Sequence, residues 1–62
     1  MENDKLKFLE ALKRNNNKMD EISLGESIGF SEEKSERIIA ELLKENKIEY
    51  ISFGLCSYQI AR

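Results

Sequence analysis

Residues 31 to 46, SEEKSERIIAELLKEN, hold both ends of a helix within their own sequence, and they limit what a chain of 62 residues can build around them. The Ser31 hydroxyl can accept from an orphan amide of the first turn. Glu32 and Glu33 follow, where the positive end of the helix dipole favours carboxylates. Ser35, Ile38, Ile39, Leu42 and Leu43 recur at helical spacing and form one apolar arc. Lys44 suits the last turn, and Asn46 tolerates the left-handed backbone that stops a helix. A helix of roughly four turns is expected here.

The flanking stretches fix its neighbours. LGESIGFS, residues 24 to 31, reads as a short helix, a glycine turn and the cap of the next helix. Asp20 is placed to cap that short helix, about 21–28, with Ile22, Leu24 and Ile28 toward the core. Gly25 allows a neighbouring helix to come close, and Phe30 fills the angle between the two helices. Downstream, KIEYISFGLCSYQI sets β-branched and aromatic residues on either side of Gly54. This predicts a hairpin over about 48–60 with its turn near Phe53-Gly54.

Before these elements, NDKLKFLEALKR predicts a first helix over about 3–14, capped by Asn3 or Asp4. Leu6, Phe8, Leu9 and Leu12 are expected on its inner face. Lys5, Lys7, Glu10 and Lys13 are expected outside, and Lys13 and Arg14 suit its C-terminal end. Asn15-Asn16-Asn17 reads as a turn, because asparagine accepts left-handed backbone. Lys18-Met19 is expected to form a short strand pairing with the hairpin edge.

Several functions are disfavoured by what the sequence lacks. It has one cysteine and neither histidine nor proline, so Cys56 cannot build a Cys/His zinc site, a disulfide or a Cys-His pair within one chain. Cys56 is expected to pack as a small hydrophobe in a strand. With no glycine-rich phosphate loop either, the expectation is not an enzyme, and no cofactor or metal. No apolar run approaches the roughly 20 residues of a membrane span, and the start lacks a signal pattern, so a cytoplasmic location is expected. Ten Lys/Arg against twelve Asp/Glu give a net charge of −2. Phosphate neutralisation drives most nucleic-acid affinity, so this balance counts against DNA binding unless the cations are concentrated on one face.

In layout the chain resembles the winged helix-turn-helix transcription regulators, particularly small multiple-antibiotic-resistance-type repressor domains. The likeness runs from KFLEAL through LGESIGFS and ERIIAELLKENKIEY to SYQI. It implies a small α+β fold of three helices followed by a two-stranded β-hairpin wing, in a single domain over 1–62. The spacing also fits winged domains that read Z-form nucleic acid. Those look for Asn and Tyr where this chain has Glu36 and Ala40, and for a proline-rich wing with a tryptophan, so that specificity is set aside.

The resemblance implies that the third helix enters the major groove of double-stranded DNA. At about 100° per residue, Glu33, Arg37, Ala40 and Lys44 lie opposite the apolar arc. Arg37 is then the candidate for a guanine edge and Lys34 and Lys44 for phosphates, with Ser31 and Ser35 offering hydroxyls. Lys18 and Lys47 would extend the positive strip. Two features point elsewhere. Glu33 and Arg37 are spaced to pair with each other, and Glu32, Glu33 and Glu36 repel phosphates. The wing between 48 and 60 contains no lysine or arginine, whereas Phe53 and Leu55 at its tip suit a protein surface. The alternative is therefore a protein-interaction module that has lost DNA affinity, with a protein partner or a second copy at the wing.

Overall fold

The computed structural model describes residues 2–61. Helix α1 spans Glu2–Asn15, α2 Glu21–Ser27 and α3 Glu32–Lys44, followed by strands β1, Ile48–Tyr50, and β2, Tyr58–Ile60. The strands pair antiparallel, Ile48 opposite Ile60, Glu49 opposite Gln59 and Tyr50 opposite Tyr58. The architecture is a small α+β fold of three helices and a two-stranded hairpin.

The expected helix ends are made by local hydrogen bonds. Asp20 caps α2, its Oδ1 accepting from the Ser23 amide at 2.6 Å. Ser31 caps α3, its Oγ accepting from the Lys34 amide at 3.1 Å. At the other ends, α2 and α3 use the same device. Gly29 (φ +88°) and Asn46 (φ +61°) turn left-handed. The following amides then reach back into the helix: Phe30 donates to the Gly25 carbonyl and Lys47 to the Leu42 carbonyl, each at 2.9 Å. These six-residue closures satisfy carbonyls that a helix end leaves open.

Phe8 and Leu12 of α1, Leu24 of α2, Phe30, then Ile38, Ile39 and Leu42 of α3 bury one continuous core, closed below by Ile48 and Cys56. Gly25 and Ser35 bring α2 and α3 together: a Cβ built on Gly25 would lie 1.9 Å from Ser35 Oγ. The close approach expected of Gly25 is thus made against Ser35.

Four expectations are corrected. Asn3 and Asp4 lie inside α1 rather than capping it. Leu6 is 56% exposed; it stands about 160° around the helix from Phe8, whereas Lys5 stands only about 60° from it. Lys5 is accordingly the half-buried residue, and its Nζ reaches Glu45 at 2.5 Å and Glu41 at 3.6 Å on α3. The short strand at Lys18-Met19 does not form; β1 and β2 are the strands among the described residues. Both backbone groups of Met19 are taken by the buried amide of Asn15, which accepts from the Met19 amide at 3.1 Å and donates to its carbonyl at 2.8 Å. Finally, Cys56 does not lie in a strand. The strands end at Tyr50 and Tyr58, the Ile51 amide adds one more bond to the Ser57 carbonyl at 2.8 Å, and residues 52–56 form the loop, with Gly54 (φ +85°) at its centre. Ile51 and Cys56 turn inward and are buried, so Cys56 packs from the loop.

Candidate nucleic-acid and protein interfaces

The outward face of α3 carries Glu33, Glu36, Arg37, Ala40 and Lys44, all exposed. Its rigidity comes from the opposite face, where Ser35, Ile38, Ile39 and Leu42 are buried. Arg37 forms no ion pair among the described residues, with Glu33 included, so the expected helix pair is not made and the guanidinium faces solvent. Lys44 is likewise exposed in the last turn.

Lys34 is different. Its Nζ lies 3.0 Å from Asp4 Oδ2 on α1 and 4.6 Å above the ring of Phe30. Both contacts draw the charge toward α1 and the core edge, away from the Arg37 stripe. The Ser31 hydroxyl is engaged as a cap, though its side is exposed. Ser35 is fully buried and its Oγ has no hydrogen-bond partner, so it cannot touch a ligand outside. Lys18 is exposed in the turn after α1, and Lys47 lines a separate groove between α1 and the end of β2. The five candidate cations thus split into an outward α3 pair, Arg37 and Lys44, and three that lie apart from it, Lys34, Lys18 and Lys47.

Acid is distributed in two ways. Glu41 and Glu45 turn to Lys5 on the α1 side, whose single charge offsets one of their two. Glu36 remains on the outer face, where it and Glu21 of α2 line a shallow concavity of about 340 Å³ with Ala40, Leu43 and Tyr58. Glu21 is a site-shaping residue that sequence reasoning missed. Its Oε1 accepts from the Ser57 amide at 3.0 Å and ties the hairpin loop to α2. Nothing in a linear sequence marks a contact between residues 36 positions apart.

The hairpin presents the second surface. Tyr50, Phe53 and Leu55 are 66%, 67% and 66% exposed. Tyr50 leans edge-on against Tyr58, ring centres 6.0 Å apart and planes at 76°. Tyr50 joins the predicted Phe53 and Leu55; its signal was an aromatic in a strand too short to cover it. Cys56 lies beneath, its Sγ 3.2 Å from the Tyr58 carbonyl. Burial pushes its thiol above the ordinary value, and the Glu21 carboxylate adds to the shift.

No three His, Cys, Asp or Glu side chains gather to hold a metal ion among the described residues. No described helix is long and apolar enough to cross a membrane. No protein-family model, curated protein or solved structure matches the chain.

Proposed function

We propose that the chain is a winged helix-turn-helix domain of the transcription-regulator type that lays α3 in the major groove of double-stranded DNA. The observation that carries this is the α2–Gly29–α3 corner: two capped helices meet at a left-handed glycine, and the second turns a stripe of Arg37, Ala40 and Lys44 to solvent. In this arrangement Arg37 reaches a guanine edge, Ala40 permits close approach and Lys44 meets a phosphate. Lys18 and Lys47 add outlying backbone contacts. Lys34 joins only by leaving Asp4.

With two or three phosphates neutralised, affinity should fall about 10- to 40-fold between about 50 and 200 mM salt. The test is an NMR titration of the labelled domain with a mixed-sequence duplex at both salt levels. Salt-sensitive shifts at residues 31–44, reduced by Arg37→Ala, are the expected result. Unshifted α3 amides at low salt would overturn the proposal.

A second reading is favoured by the hairpin: three large apolar or aromatic side chains are two-thirds exposed where the chain has no cation. As a protein-interaction module, the domain would bind through Phe53 and Leu55. Phe53→Glu or Leu55→Glu should then abolish association while leaving the melting curve unchanged.

A further inference from the structure

The groove between α1 and the end of β2 is touched by the functions above only at its edge, where Lys47 stands. It is an open hollow of about 600 Å³, with Leu9, Lys13, Ile60 and Ala61 among the residues that line it. Leu6 stands on its lip, 56% exposed although leucine is ordinarily a core residue. We propose that this face is where a second copy of the chain packs, α1 antiparallel to α1 about a two-fold axis, with Leu6 of each copy seated in the groove of the other.

Two observations select a second copy as the occupant. A two-fold contact requires a patch complementary to itself, and here the protruding leucine and the apolar hollow lie side by side on one face. The rim also carries both signs: Glu10 against Lys13 and Lys47, with Glu45 held by Lys5. A foreign peptide of one sign would meet a repelling charge on such a rim, whereas a rotated copy meets its opposites. With the axis passing between residues 9 and 10, Leu6 comes level with Lys13 of the other copy, against its aliphatic stem, and Glu10 with Leu9. Glu10 comes within reach of the opposing Lys13. Glu10 is now held only by an exposed 3.4 Å contact to Arg14, of a kind worth little and readily exchanged. Glu45 stays with Lys5 and leaves Lys47 to the rim. The packing does not depend on whether α3 binds DNA.

The experiment is sedimentation equilibrium of the intact chain from about 10 μM to about 1 mM, the range in which small interfaces associate. The wild-type chain is expected to dimerise. Leu6→Glu should be monomeric throughout with an unchanged melting curve. Leu6→Ala, a milder variant, should weaken the dimer about 30-fold, since two half-exposed leucines lose their burial. Glu10→Lys and Lys13→Glu should each self-associate poorly, yet form a heterodimer when mixed, because each then meets its opposite charge. Phe53→Glu should dimerise like wild type. A chain monomeric across the range would overturn the proposal, as would a dimer that survives Leu6→Glu or swap variants with no preference for each other.

Discussion

Gly25→Ala tests the α2–α3 contact on which the corner at Gly29 rests. At an open helical site this substitution stabilises by about 1 kcal/mol, because alanine loses less backbone entropy than glycine. Here the new Cβ would lie 1.9 Å from Ser35 Oγ and 3.0 Å from Ser35 Cβ, with Phe8 Cε2 behind at 3.7 Å. Rotating the serine moves Oγ but not Cβ, so the helices must part. Overpacking of this kind costs about 1–3 kcal/mol. Set against the propensity gain, the net loss is at most about 2 kcal/mol. A chain of this size has only about 3–9 kcal/mol to lose, at the usual stability per residue. The melting temperature should drop, by up to about 15 °C.

Ser35→Ala supplies the control. It removes a buried hydroxyl that has no partner, so alone it should be neutral or stabilising by up to about 1 kcal/mol. In the Gly25→Ala background it should restore part of the lost stability, because the 1.9 Å contact goes while the 3.0 Å contact to Cβ stays, a coupling of about 1 kcal/mol between residues in contact. The assay is thermal and urea unfolding of the four proteins in the cycle. A Gly25→Ala protein more stable than wild type, or effects that simply add, would refute the close approach.

Three further outcomes follow from single contacts. Asn15→Ala should cost about 1–2 kcal/mol in urea unfolding and speed exchange of the Met19 amide, since both Met19 bonds disappear; unchanged exchange would refute the clamp. Asp20 accepts the Ser23 amide, which holds its carboxyl below the ordinary 3.8. Because the folded value is the lower one, its contribution is present above about pH 4 and is lost as pH falls through the folded value. Asp20→Asn should therefore flatten part of the acid limb of stability, and parallel acid curves for the two proteins would rule this out. Cys56 is buried with a raised thiol, so a thiol reagent should label native protein far more slowly than free cysteine and faster in Gly25→Ala. Labelling of the native chain at the free rate would contradict its burial.

What was legible in the sequence is what is decided within a few residues. The caps at Asp20 and Ser31, the left-handed turns at Gly29 and Asn46, and the apolar arc of α3 all depend on hydrogen bonds or periodicity spanning three to five positions. Gly54 as the centre of the hairpin was legible for the same reason, since the β1–β2 register pivots on it. Such features belong to the chain wherever it goes. Arg37 and Lys44 as outward residues of α3 followed from the same periodicity.

Tertiary structure decided the rest. Lys34 shares the outer half of α3 with Arg37, yet Asp4 and Phe30 pull it toward α1. Lys5 and Leu6 exchanged their expected places because α1 could present only one arc to a core already filled from α3. The first strand vanished into an asparagine clamp, and the loop of the wing is pinned by Glu21 and anchored by Ile51 and Cys56. Long-range partners compete for each side chain and backbone group, and a buried polar group goes to whichever donor or acceptor reaches it first. Local propensity chose where this chain turns; packing between distant segments chose which of its charges and apolar side chains were left facing out.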